Sequence, residues 1–126
     1  MQVLKLVYIA HGWMLGLAGK PLIADEIEAW KYGPVIPELY HALKSYRSDT
    51  VTQVPGAENA VFDADEQSIM DQVCRIYGDQ DGIQLSQLTH QNGSPWAQTW
   101  NSRIRGNVIS NDVIRAHYAA LGQSQR

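Results

Sequence analysis

The densest chemistry in this 126-residue chain is one run of eight, Glu28-Ala29-Trp30-Lys31-Tyr32-Gly33-Pro34-Val35. Two large aromatics, a lysine and a turn signal converge there, which is the composition of a rigid anchor at a protein-interaction hot spot. A plainer job fits as well, with Trp30 plugging a gap between a β element and the core. The residues by themselves leave both readings open.

Other reactive side chains are scattered. The four histidines are His11, His41, His90 and His117, and none lies three or four positions from another histidine or from Cys74. No metal site is therefore expected. His11 falls inside an apolar segment and His117 on the inner stripe of the last helix, so both read as hydrogen-bonded core histidines. Cys74 has only Arg75 beside it and reads as a small buried hydrophobe. Asp81, Ser86, His90 and Ser94 can be drawn as a hydrolytic triad, but Ser94 precedes a proline and lacks the Gly-x-Ser-x-Gly context of a nucleophile elbow. The glycines fall singly, so no phosphate-binding loop forms. The carboxylates gather in one surface helix rather than as a pair in differing environments. The expectation is a protein with no catalytic, cofactor-binding or metal-binding residues, and not an enzyme.

Arg103, Arg105 and Arg115 near Trp96 and Trp100 could make a base-stacking platform. Core tryptophans beside a surface loop account for the same residues. Net charge is −3 with pI ≈ 5.7, which disfavours nucleic acid as a partner of the whole molecule. The charge is unevenly spread: residues 58–81 sum to −6 and residues 82–126 to +3. Such polarity steers charged partners, or simply reflects one solvated helix face.

Hydrophobic residues are 44% of the chain and charged ones 18%, a globular composition that excludes a disordered or coiled-coil chain. With one cysteine no internal disulfide can form, and no membrane-spanning run or signal peptide is evident, so the expected compartment is the cytoplasm. The first segment, residues 1–18, is apolar almost all round and reads as a central helix. Its interruptions Lys5, Gly12 and Gly16 fall on one narrow stripe at ~100° per residue, and two glycines on one face imply close approach by another element. Gly19 and Pro21 stop it.

Residues 26–32 alternate like a strand and end in the turn signal Gly33-Pro34. Pro37 opens a helix to about Tyr46. A second β element is expected within residues 50–62, around Pro55-Gly56. Asp63 with Glu66 forms a capping box for a helix with Ile69, Val73, Ile76 and Tyr77 inward and Gly78 at its end. A short helix from Ile83 to His90 should turn Leu85 and Leu88 inward. Ser94-Pro95 caps the next, with Trp96 and Trp100 on one face. Asn111 or Asp112 caps the last, which Gly122 ends. The expected fold is a mainly α, compact single-domain bundle of five or six helices around the N-terminal one. A minor β part is expected near residues 26–32 and 50–62.

In order, the pieces Leu4-Lys5-Leu6-Val7-Tyr8-Ile9-Ala10-His11-Gly12-Trp13, Gly19-Lys20-Pro21-Leu22 and Glu28-Ala29-Trp30-Lys31-Tyr32-Gly33-Pro34-Val35-Ile36-Pro37 resemble the Panacea domain family. That family comprises antitoxin SocA-like and phage-associated GepA-like proteins. Leu85-Ser86-Gln87-Leu88-Thr89-His90, Ser94-Pro95-Trp96 and a helix around Ile114–Tyr118 continue the likeness. The motif residues are His11, Trp30, Lys31, Tyr32, Gly33, Pro34, Thr89, His90, Pro95 and Trp96, serving as scaffold or as partner contacts. The family domain would span residues 1–122, without the N-terminal helical segment that members usually carry, and residues 123–126 would be a flexible tail.

The resemblance implies an antitoxin-type interaction domain that neutralises a cognate protein toxin by direct binding. Delivery of that toxin to a protease is a further activity known in the family. The alternative is a prophage-associated nucleic-acid-binding or regulatory protein without catalysis. If the shared motif specifies scaffold, the loop 48–60 and the acidic helix from Asp63 are the places for partner specificity.

Overall fold

The computed structural model describes residues 2–43 and 63–124. Along the chain these form α1 (Gln2–Ala18), β1 (Glu28–Trp30), β2 (Gly33–Val35), α2 (Pro37–Leu43), α3 (Ala64–Tyr77), α4 (Gly82–Thr89), α5 (Pro95–Thr99), β3 (Asn107–Val108) and α6 (Asn111–Ser124). The protein is mainly helical, with one small antiparallel sheet.

Helix α1 is the axis of the fold. Helices α6, α3 and α4 and strand β2 all pack on it, which accounts for a segment apolar on most sides. Leu4, Tyr8, Ile9 and Leu15 are buried in one cluster with Ile27, Ile36, Val73, Leu85, Ile109, Ile114 and Tyr118, and Met14 is fully buried as well. Each large apolar side chain so buried contributes about 1.5–3 kcal/mol relative to exposure. Gly19, at φ 75°, returns its N–H to the Leu15 carbonyl and ends the helix in a left-handed conformation that glycine takes without steric penalty.

The glycine face does what close approach requires. A Cβ added at Gly12 would lie 2.3 Å from the Tyr118 ring, and one at Gly16 would lie 2.8 Å from the Ala119 backbone nitrogen. The backbones of α1 and α6 therefore meet where only hydrogen fits. Lys5, two turns earlier on the same stripe, meets a different neighbour: its ammonium reaches the Pro34 carbonyl of β2 at 2.7 Å.

Several local expectations need correction. Gly33 and Pro34 are not the turn but open β2, paired with Trp30 and Ala29; the turn is Lys31-Tyr32. The third strand is β3, which pairs with β1 and gives the order β2-β1-β3. The β element expected in 50–62, the loop 48–60 and the end of the second helix near Tyr46 lie outside the described residues. The capping box of Asp63 and Glu66 is present, and Ser94 caps α5 with Pro95 in its first turn. At α6 it is Ser110 whose hydroxyl accepts from the Val113 N–H, leaving Asn111 for another task. That helix runs through Gly122, which packs beside Leu17 and Trp13.

Ile76 and Leu88 point outward, 64% and 37% exposed, because α3 and α4 each cover only part of α1. Cys74 is also exposed rather than buried, since it lies on the solvent side of α3.

The glycine contact makes a signed prediction. At an open helical site Gly→Ala stabilises by about 1 kcal/mol. At Gly16 the new methyl meets backbone, which cannot swing aside, so Gly16→Ala should destabilise by about 1–3 kcal/mol. Urea unfolding midpoints measure it, and an unchanged or raised midpoint would show that α1 and α6 do not touch there.

Candidate functional site

The motif residues of the β1–β2 hairpin meet those of α4 and α5. Trp30 donates through Nε1 to Glu28 Oε1 at 2.9 Å, and its ring stands edge-on to Tyr40 at 5.1 Å. Its carbonyl accepts the indole N–H of Trp96. Trp96 in turn stacks on Trp100, with centroids 5.2 Å apart, and meets the His90 ring edge-on at 5.4 Å. One chain of aromatic contacts thus ties the hairpin to α5 and to the end of α4.

Gly33 sits at φ 128°, and a Cβ there would press to 3.2 Å from the Lys5 ammonium. Its backbone conformation therefore calls for glycine, and a methyl there would also push the Lys5 ammonium aside by a few tenths of an ångström. Pro34 is fully buried in an edge strand, a position where the missing N–H does not interrupt the ladder. Pro95 is likewise fully buried, at the first turn of α5. The hairpin turn is pinned from below by Ser86, whose hydroxyl donates to the Tyr32 carbonyl at 2.6 Å. Thr89 is buried and turns its hydroxyl back on its own helix, 2.9 Å from the Leu85 carbonyl. Lys31 and Tyr32 remain outside: Tyr32 is 71% exposed and the Lys31 ammonium lies 5.4 Å above its ring.

His11 is held in a separate cluster. Its Nδ1 accepts the N–H groups of Leu22 and Ile23 at 3.2 and 3.3 Å, so its proton is on Nε2, which donates to Asn111 Oδ1 at 3.0 Å. Burial pulls its pKa below the ordinary histidine value, partly countered by the Asn111 bond. The ring is a three-way fastener between α1, the segment after it and the start of α6. Burial also lowers the pKa of His117, whose ring stands edge-on to Tyr118.

The possible triad residues have other occupations. Asp81 and Gln84 form a capping box for α4, Ser94 caps α5, Ser86 holds the hairpin turn, and His90 Nδ1 donates to the Ser86 carbonyl. Arg103 and Arg105 stand exposed in the loop before β3, while Arg115 lies beside Gly19 at the end of α1. The acidic helix α3 packs on α1, with its N-cap Asp63 paired to Lys20 at 2.9 Å. Among the described residues no group of three or more His, Cys, Asp or Glu side chains could hold a metal, and no helix is long and apolar enough to cross a membrane.

Between the hairpin, α4 and the start of α1 lies a groove of about 1060 Å³. Trp30, Tyr32, Val35, Tyr40, Leu4 and Ile83 supply its apolar walls. Lys5 lies in it, only 6% exposed, and burial pushes its pKa down to about 8. Gln2 closes one end by donating to the Gly78 and Gln80 carbonyls, both at 2.7 Å. Sequence reasoning noted Lys5 only as a polar interruption of α1. The usable signal was that it is the one charged residue in an otherwise buried segment.

The model of the antitoxin SocA-like, Panacea domain family matches residues 3–97. The chain belongs to that family. A curated relative, antitoxin SocA of Caulobacter vibrioides (strain NA1000 / CB15N), is 29% identical over 102 residues, covering 73% of this chain and 54% of that protein. The chain thus spans about half the length of the curated relative it matches. No solved structure matches. The hairpin, α4 and the first three residues of α5 fall within the Panacea match, whereas β3 and α6 follow it.

Lys5 gives this Panacea domain a pH signature. Its folded pKa, about 8, lies below the ordinary 10.5, so between those values the unfolded chain binds the proton more tightly. Stability should therefore rise with pH from about 8 to about 10. Above about 10 the buried Tyr8 and Tyr118, whose pKa values are raised, reverse the trend because the unfolded chain loses their protons first. Urea midpoints of the wild type should climb across that window, and Lys5→Met should flatten the climb. Parallel curves would mean that Lys5 is not charged and buried in the fold.

Proposed function

We propose that this chain is an antitoxin-type interaction domain that neutralises a cognate protein toxin by direct binding, in the cytoplasm and without catalysis. The observation that carries the reading is the family match across residues 3–97, together with a relative whose name is antitoxin SocA. The side-chain arrangement supports it. His90, Ser86, Ser94 and Asp81 are engaged in capping and in holding the hairpin, not in polarising one another.

Within this reading the motif residues divide by position. Trp30, Gly33, Pro34, Thr89, His90, Pro95 and Trp96 build the scaffold, His11 fastens α1 to α6, and Lys31 and Tyr32 are left for contact. The functional domain covers residues 1–122 and includes α6, because that helix covers the Gly12–Gly16 face of α1.

Co-expression with each neighbouring open reading frame in a bacterial host tests the proposal. One neighbour should arrest growth alone and be silenced by this chain, and the purified pair should co-elute. The toxin's level should stay constant during rescue; a protease-dependent fall would instead mark delivery for degradation. If no neighbour is toxic, or if the chain fails to restore growth, the antitoxin reading is wrong.

A further inference from the structure

The groove beside the hairpin has a chemical asymmetry that the scaffold does not explain. Its walls are aromatic and aliphatic, and two of its rim side chains, Tyr32 and Ile83, are 71% and 73% exposed. Large apolar groups left in water at the edge of one concave surface mark a place where something else binds. Trp and Tyr are also the residue types that carry most binding energy at protein interfaces.

The groove holds a cation with no matching anion. An ammonium has three N–H donors. Among the described residues, the Lys5 ammonium has one acceptor, the neutral Pro34 carbonyl, and the ion pair Lys20–Asp63 lies elsewhere. Burying a charge without a counter-charge is costly, and the lowered pKa of Lys5 expresses that cost. Lys31 adds a second positive charge at the rim. The acid in the lining, Asp81, is committed to the capping box of α4, and among the described residues it forms no ion pair with Lys5. The chain as a whole is negative, at −3, so this local positive field is not a by-product of composition.

Of the groove's other polar groups, Gln87 stands exposed on α4 and the inner ones are spoken for. Ser86 and His90 bond to backbone carbonyls, and Gln2 is bonded to Gly78 and Gln80. Small-metabolite sites orient their ligand with several converging polar groups. Here there is one buried cation and a long apolar wall, which suits a peptide segment with apolar anchors and a single carboxylate. We propose that the groove between the β1–β2 hairpin, α4 and the start of α1 is the docking site for a carboxylate-bearing apolar segment of a protein partner. Lys5 takes the carboxylate, and Tyr32 and Ile83 take the apolar side chains against the wall that the scaffold residue Trp30 supplies. This rests on the antitoxin reading in one respect: the partner is then the toxin.

The test has two arms. In the first, a random peptide display library is panned on the purified full chain, and the strongest binder is synthesised with Asp or Glu and with the matching Asn or Gln. Binders should combine an acidic residue with Leu, Phe or Trp, and the amide version should bind about 10-fold more weakly, the usual effect of losing a charged hydrogen bond. Ile83→Asp, at an exposed position, should abolish binding of both versions. Lys5→Met should remove the discrimination between acid and amide, a readout that a purely structural lysine would not move. Absence of binders, acid and amide peptides binding alike, or binding that survives Ile83→Asp each overturns the proposal.

In the second arm, Ile83→Asp and Lys31→Glu are placed in the growth assay. Both should lose rescue where the wild type restores growth. If both still rescue, the groove is not the toxin's seat and the inference falls while the antitoxin reading stands. If the wild type itself fails to rescue, the antitoxin reading falls and the peptide arm alone decides the groove.

Discussion

Everything in this fold is arranged around a helix that must be covered on nearly every side. A segment as apolar as α1 loses its hydrophobic stabilisation wherever a face stays in water, and a short chain has few elements with which to cover it. The economy comes from Gly12 and Gly16. By letting α6 approach to backbone contact at Tyr118 and Ala119, they leave α3, α4 and the hairpin free to cover the remaining faces. His11 locks the arrangement with three hydrogen bonds to Leu22, Ile23 and Asn111, so that the helix pair and the following segment are fixed together.

The hairpin is held by groups that act on its backbone more than on its side chains. Lys5 donates to the Pro34 carbonyl, Ser86 to that of Tyr32, and Trp96 to that of Trp30. Three elements distant in sequence thereby fix a short turn that would be marginal alone. The outer faces of Lys31 and Tyr32 are left uncommitted.

Lys5 links the two themes. It sits on the central helix, supports the hairpin and lies in the groove, with a carbonyl rather than a carboxylate as its acceptor. A buried lysine so placed lowers stability compared with an apolar residue of similar shape. Tyr8, one turn further along α1, is the other polar group in this position: among the described residues its buried hydroxyl has no hydrogen-bond partner.

The sequence by itself determined what local chemistry and periodicity can specify. The all-round apolar first helix, the paired glycines, the capping box at Asp63 and Glu66, the Ser94-Pro95 helix start and the shared face of Trp96 and Trp100 are legible because each depends on neighbours within a few positions. The family likeness was legible for the same reason, since its motifs are short contiguous runs. What needed the tertiary structure were pairings across long separations. Nothing near Asn107 announces that it will lie beside Ala29, and nothing near Gly33 shows that it opens a strand rather than a turn until Pro34 is seen opposite Ala29. The exposure of Cys74, Ile76 and Leu88 was equally hidden, because a helical stripe says which residues share a face but not how wide a neighbour covers it. The groove is the furthest case. Lys5, Trp30 and Ile83 come from three separate elements, and only their packing on one another turns a polar interruption, an aromatic and an exposed aliphatic into one site.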